Sequence, residues 1–239
     1  MTRVLLIADV HANWEALLSL QRAEPKPDAV LFAGDAVGYG PDPLNCARWL
    51  VANATVAAQG NHDDAIGNGS IVGAPTELED AARETINYAR SMMTPADRDG
   101  LARWPVSALF EMGGARFYVT HGTPLDPLAG TIHPATCPEA DLHSMFDDIP
   151  SDVIVLGHTH LPAIRQFGKR VIVNPGSLGQ PRYGVPDATY AMWEDGHLQI
   201  KHLHYDYGAP ANRLRLLPLS PDVTGQLCAI LESGLVDSR

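Results

Sequence analysis

Five short apolar runs, each broken off by a cluster of polar residues, set the rhythm of the chain. Val4–Ala8 ends in Asp9-Val10-His11-Ala12-Asn13, and Ala29–Ala33 in Gly34-Asp35-Ala36-Val37-Gly38-Tyr39-Gly40. Ala54–Ala58 ends in Gln59-Gly60-Asn61-His62-Asp63-Asp64, Arg116–Thr120 in His121-Gly122-Thr123-Pro124, and Val153–Leu156 in Gly157-His158-Thr159-His160. Apolar runs of this length, bounded by turn formers, suit buried strands. Between the first two runs, Trp14, Leu17, Leu18 and Leu20 have helical spacing over Trp14–Ala23, with Asn13 placed as the N-cap. Pro41-Asp42-Pro43 opens a second helix before the third run. Strand and helix in alternation predict right-handed βαβ units and a largely parallel sheet.

The later chain is less regular. Ile66–Ala74 is glycine-rich and predicts a loop, and Pro75–Met93 a long amphipathic helix. Thr94 is placed to cap a short helix with Pro95 at its first position. Gly113-Gly114 between two apolar runs signals a hairpin. A helix is expected around Glu139–Phe146. Ala163–Phe167, Val171–Val173, Thr189–Trp193 and Leu198–Leu203 predict an antiparallel meander, turned at Gly168-Lys169 and Asp195-Gly196. From about Ala209 the pattern is one or two short helices, whose leucines pack either on the core or on a second subunit. The expectation is one α/β domain over residues 1–239, with a core to about 205 and a helical tail over 206–239.

Composition narrows the chemistry. The 17 Lys+Arg stand against 28 Asp+Glu, a formal charge of −11, so the basic footprint of a general nucleic-acid binder is missing. The three cysteines, Cys46, Cys137 and Cys228, are odd in number and widely spaced, which fits free thiols in a reducing, cytoplasmic setting. No apolar stretch reaches membrane-spanning length. Singly, a strand-end Asp is usually a turn former and a lone His a hydrogen-bonded surface group. Five such clusters at five run ends are another matter. Carboxylates and imidazoles without cysteine are a ligand set for Mn²⁺, Fe, Zn²⁺ or Ni²⁺ and argue against structural zinc. Asp35, between flexible glycines, reads as a carboxylate shared by two ions.

The motifs Asp9-Val10-His11, Gly34-Asp35, Gly60-Asn61-His62-Asp63, His121 and Gly157-His158-Thr159-His160, in this order, resemble the calcineurin-like metallophosphoesterase superfamily over Val4 to about Tyr205. The resemblance implies a four-layer αββα sandwich of two mixed sheets flanked by helices. It implies a first divalent ion on Asp9, His11, Asp35 and His160, and a second on Asp35, Asn61, His121 and His158. Mn²⁺ is the expected metal, with Fe, Zn, Ni or Mg as alternatives. A bridging hydroxide would attack phosphorus, and His62 would act at the leaving oxygen as general acid or charge stabiliser.

Protein phosphatases of that superfamily carry Gly-Asp-x-x-Asp-Arg-Gly. Here Gly38 and Tyr39 stand where that Asp and Arg would fall, which speaks against phosphoprotein substrates. Arg182, with backbone N–H groups of Gly176 and Ser177, is the candidate phosphate contact; Asn13 is a cap that also reaches toward phosphate, and Tyr39 a base-stacking or wall residue. His133, His143, His197, His202 and His204 fall outside the motif and are taken as surface residues. The expected activity is phosphodiester hydrolysis on a small nucleotide-like substrate. The alternatives are a phosphomonoesterase, a dinucleoside polyphosphate hydrolase, and a non-catalytic metal-binding scaffold. No membrane or nucleic-acid partner is expected, and homo-oligomerisation through the tail is open.

Overall fold

The computed structural model describes residues 1–236. The first half lays down β1 (Arg3–Ile7), α1 (Trp14–Ala23), β2 (Ala29–Ala33), α2 (Pro43–Asn53), β3 (Val56–Ala58), α3 (Asn61–Gly67), α4 (Glu79–Met92) and α5 (Pro95–Ala102). There follow β4 (Ser107–Met112), β5 (Ala115–Thr120), α6 (Glu139–Phe146), β6 (Val153–Val155), β7 (Ala163–Phe167), β8 (Arg170–Asn174), β9 (Ala188–Glu194), β10 (His197–Leu203), α7 (Gly208–Leu214) and α8 (Pro221–Ser233). Among the described residues the strands form two five-stranded sheets, ordered β10-β9-β1-β2-β3 and β4-β5-β6-β8-β7. Both are mixed. β1, β2 and β3 run parallel while β9 and β10 join antiparallel; β5, β6 and β8 run parallel between antiparallel edges β4 and β7.

The two-residue period of a strand builds the layers. Val4, Leu6 and Leu31 face Phe117, Val119, Val153 and Val155 between the sheets, whereas Leu5, Ile7, Val30 and Phe32 face the helices of the other side. Ile154 and Ile172 turn outward onto Leu142 and Phe146 of α6. These continuous apolar runs are what a strand covered on both faces requires. The result is the expected four-layer αββα sandwich.

Two expectations are corrected. Residues 163–203 do not form one meander. β8 pairs in parallel with β6, and β9 pairs with β1 in the other sheet, so the two hairpins lie in different layers. The segment between β8 and β9 therefore crosses from sheet to sheet past the strand ends. The helix expected over Pro75–Met93 begins as a single 3₁₀ turn, Thr76–Leu78, before α4 starts at Glu79.

The tail packs on its own chain. Ala211, Leu214, Val223, Leu227, Ile230 and Leu231 are buried with Leu78, Ala81 and Ala82 of the α4 region and with Tyr39. Arg213 of α7 reaches Glu15 at 2.7 Å and Asp42, beside the start of α2, at 2.7 Å. Beyond α8, Gly234 adopts φ +68° and its carbonyl accepts the Gly184 N–H at 2.8 Å.

Candidate metal centre

Among the described residues, seven of the eight non-glycine residues with positive φ, namely Asp9, His11, Ala12, Asp35, Tyr39, His158 and His160, lie in the loops that leave the strand ends. Such conformations are costly and persist where surrounding structure enforces them, often at functional sites. The effect is to turn the polar clusters into one buried pocket. Asp9, His11, Asp35, His121 and His160 are all at most 2% exposed.

The imidazoles are aimed by backbone carbonyls. His11 Nδ1 donates to Val37 O (3.0 Å), His121 Nδ1 to Ala33 O (2.7 Å) and His160 Nδ1 to Gln180 O (2.6 Å). On His11 and His160 the bond fixes the tautomer and leaves Nε2 as a bare lone pair facing the cluster, the arrangement seen behind metal-ligating histidines. On His121 burial is outweighed by the Asp35 charge and hydrogen bond, which raise it to about 9. His11 Nε2 and His160 Nε2 then meet at 3.0 Å, two acceptors with no hydrogen between them. His160 Nε2 lies 3.5 Å from Asp9 Oδ1, and His11 Nε2 lies 3.6 Å from Asp35 Oδ2. On the far side of Asp35, His121 Nε2 is 3.3 Å from Oδ2, 3.1 Å from Asn61 Oδ1 and 3.2 Å from His158 Nδ1. Asp9 Oδ2 is buried with no partner. Opposed lone pairs and an orphaned carboxylate oxygen are unstable unless cations sit among them. The donor set fits divalent metal on this observation. Asp9, His11, Asp35 and His160 could hold one ion, and Asp35, Asn61, His121 and His158 another.

The electrostatics carry the same strain. Burial, aided by the Asp35 charge, pushes the Asp9 carboxyl up to about 8. Burial opposes ionisation of Asp35 too, but His121, His62 and His11 outweigh it and hold Asp35 well below the usual carboxylate range. Burial keeps His11 and His160 far below the ordinary imidazole value and lowers His158 and His62 to about 4.

His62 follows Asn61 at the start of α3. Its backbone N–H donates to Asp35 Oδ1 at 2.9 Å, and its ring packs 4.6 Å from Tyr39 and 4.9 Å from His11. Its Nδ1 is buried without a partner. A Cβ on Gly38 would lie 2.1 Å from that atom, so the ring occupies the space where a side chain at position 38 would stand. Asp63 does not orient His62. Its carboxylate accepts the N–H groups of Asp35 (2.8 Å), Ala36 (2.9 Å) and Gly60 (3.1 Å), and so pins the loop that carries Asp35.

Three substrate-site candidates spend polar groups on the protein itself. Gly176 N–H is committed to Asn174 Oδ1 at 2.9 Å, and a Cβ there would meet Thr189 Oγ1. Ser177 is fully buried and its hydroxyl ties Asp9 O to Gln180 N–H, so both residues brace the crossing loop rather than face a ligand. Asn13 caps α1 through Ala16 N–H and spends its amide hydrogens on Gly179 O and Tyr205 OH. Arg182 and Tyr39 do line the cavity above the cluster. The guanidinium sits 5.5 Å over the Tyr39 ring and bonds Gln180 Oε1 at 2.6 Å. The cavity measures about 300 Å³ and is also walled by Gly73, Pro75, Thr131, His133 and Leu161. His133, expected on the surface, is therefore part of the site. His202 and His204 have polar partners, Tyr183 OH and the Asp187 carboxylate, and neither lines the cavity.

Two mixed sheets meeting at a pocket of carboxylates and aimed imidazoles define a metal-dependent phosphoesterase framework. Residues 2–195 match the family model of the calcineurin-like phosphoesterase superfamily domain, and the chain belongs to that family. It is 24% identical over 224 residues to an uncharacterized protein, MJ0912, of Methanocaldococcus jannaschii, covering 85% of this chain and 87% of that one. It is 27% identical over 210 residues to phosphodiesterase YfcE of Escherichia coli, covering 84% and 91%. Its fold matches a metallophosphoesterase structure from Sphaerobacter thermophilus with a TM-score of 0.80 at 24% identity, over 96% of this chain and 99% of that one. The protein is a metal-dependent phosphoric ester hydrolase. Among the described residues no helix is long and apolar enough to cross a membrane.

Proposed function

We propose that this protein hydrolyses small, nucleotide-like phosphodiesters at a pair of divalent ions, with Mn²⁺ as the working metal. Asp9, His11, Asp35 and His160 would hold the first ion, and Asp35, Asn61, His121 and His158 the second. The observation that carries the reading is the His11–His160 contact at 3.0 Å beside the orphaned Asp9 oxygen, an arrangement that needs cations to stand. When bound, two such ions polarise the phosphoryl oxygens and lower the pKa of the attacking water. The protein's own groups do the rest. Arg182, stacked on Tyr39, pairs with a non-bridging phosphate oxygen and orients the ester. His62, with no acidic group behind Nδ1, offers a ring N–H to the leaving oxygen. Gly73, Pro75 and Leu161 exclude water around the ester. Three free cysteines fit a cytoplasmic setting.

Purified protein loaded with Mn²⁺ is assayed on bis-p-nitrophenyl phosphate and on the monoester. The expected result is two ions per chain and faster turnover of the diester. His62→Ala retains both ions and loses kcat by about 10²-fold or more. Faster monoester turnover makes the protein a phosphomonoesterase. Fully loaded protein that leaves both esters untouched overturns the catalytic reading in favour of a scaffold.

A further inference from the structure

Resting on the reading of Arg182 as the phosphate contact, we infer that Gln180 is its positioning residue: it fixes the guanidinium beside the metal cluster and, being neutral, leaves the charge free for the substrate. The first observation is the contact itself. Gln180 Oε1 accepts from both Nε (3.2 Å) and Nη2 (2.6 Å) of Arg182. Arginine has donors only, so the amide must turn its oxygen toward it. Two bonds along one edge of a planar fork fix its plane as well as its place. They leave Nη1 and the second Nη2 hydrogen, the outer end of the fork, for a phosphate oxygen. The Tyr39 ring lies against the same guanidinium at 5.5 Å, and that ring is 4.6 Å from His62. The cation is thus held from two sides in the cavity that Asp35, His62, His158 and His160 also line. An arginine on a free stem loses its side-chain freedom when substrate binds; this one has lost it beforehand.

The second observation is the Gln180 backbone. Its carbonyl accepts from His160 Nδ1 at 2.6 Å, and its N–H donates to Ser177 Oγ at 2.7 Å. The residue is buried, and Pro181, buried next to it, fixes φ on the way to Arg182. One residue therefore aims a ligand candidate of the first ion with its main chain and holds the cation with its side chain. The span between that ion and the guanidinium is set at a single point. The third observation is charge. Among the described residues Arg182 has no carboxylate within ion-pairing distance, whereas Arg3, Arg116 and Arg213 each pair with at least one. A glutamate at position 180 has the same shape and would accept both bonds, but it would make an ion pair that an incoming phosphate must break. The amide orients the guanidinium without neutralising it.

Mn²⁺-loaded wild type, Gln180→Met, Gln180→Glu, Arg182→Ala and the double variant Gln180→Met/Arg182→Ala are compared on bis-p-nitrophenyl phosphate. Calorimetric titrations with inorganic phosphate and with Mn²⁺ give a second readout. Gln180→Met, which keeps the volume and loses the acceptor, is expected to raise KM and the phosphate Kd about fivefold. Gln180→Glu raises both about tenfold or more, although it restores the contact. In both variants kcat stays within about threefold and Mn²⁺ affinity within about twofold, which a general loss of structure would not allow. In the Arg182→Ala background Gln180→Met adds nothing, because the residue acts through the cation. A Gln180→Glu variant that matches wild type, or binds phosphate more tightly than Gln180→Met, overturns the inference. So does a full Gln180→Met effect in the absence of Arg182. If Arg182→Ala is itself without effect, the phosphate-contact reading falls and this inference with it. If Arg182→Ala acts and neither Gln180 variant does, this inference alone falls. Where Gln180→Glu fails to fold, Gln180→Met and the double variant decide; where no ester is turned over, the phosphate affinities decide.

Discussion

Replacing Asp63 by asparagine is expected to damage both stability and metal binding although Asp63 touches no ion. Its Oδ2 accepts two N–H groups, from Asp35 at 2.8 Å and Gly60 at 3.1 Å, and its Oδ1 accepts the Ala36 N–H at 2.9 Å. The side chain is fully buried. Burial raises this carboxyl to about 7 while the Gly60 and Ala36 N–H groups pull it down, so at pH 8 it is charged. An asparagine of the same shape offers oxygen on one side only. In its best orientation it keeps the two bonds at Oδ2, without the charge, and turns an NH₂ toward the Ala36 N–H. A bond to a charged group contributes about 1.5–3 kcal/mol, and a donor left buried costs about 1–3 kcal/mol. The sum is about 2.5–6 kcal/mol, or roughly 5–24 °C in Tm for a chain of this size. Because the freed backbone is that of Asp35, Mn²⁺ affinity falls about 10–100-fold, as for other groups that hold a ligand in place. Urea denaturation of metal-free protein at pH 8 reads the first effect and calorimetric Mn²⁺ titration the second. A variant within about 1 kcal/mol of wild type with unchanged Mn²⁺ affinity refutes the reasoning.

Other perturbations probe other parts. Arg182→Ala raises KM for bis-p-nitrophenyl phosphate about tenfold or more and leaves both metal sites filled, because it removes a phosphate contact and no ligand; unchanged kinetics on every ester removes Arg182 from the site. Gly38→Ala forces a Cβ into the space held by His62 Nδ1 and asks a non-glycine residue to adopt φ +85°, costing about 1–2 kcal/mol in backbone strain alone. Its kcat falls by about tenfold or more with metal content intact, and wild-type kcat would contradict the contact. In acid, Asp97 is the group to watch. Its hydrogen bonds with Arg48 and Thr94 lower it to about 2, so the stability it adds is full above its unfolded value of 3.8 and drains as pH falls toward 2. The stability gap between wild type and Asp97→Ala, about 1 kcal/mol at neutral pH from the lost α5 capping box, therefore closes between pH 5 and pH 2. A gap that stays constant over that range is incompatible with this linkage.

Much of the metal cluster was legible because each ligand candidate sits where an apolar run stops, and such a stop is a local event. The topology of βαβ units then carries those stops to one edge. What the sequence hid is non-local. Asp63 is adjacent to His62, yet two of its three partners are amides nearly thirty residues away, and no pattern names them. Gly176 and Ser177 look like an anion cradle because turn formers do, but their N–H and O–H groups are claimed by Asn174, Asp9 and Gln180 once the sheets close. His133 follows no apolar run and so gave no signal. The alternation in β7 through β10 identifies strands correctly but is silent on which sheet each one joins, hence the false meander.

The clasp between Gly184 and Gly234 ties the end of α8 to the loop that carries Arg182. Gly184 is two residues past Arg182, and a Cβ on Gly234 would stand 2.2 Å from Val185 O, so the two backbones touch with nothing between them. The family match stops at residue 195, so this grip is made by a part of the chain outside it. For the bench, a purification handle joined beyond Gly234 tugs on the very loop whose affinity is to be measured, and one placed ahead of β1 does not.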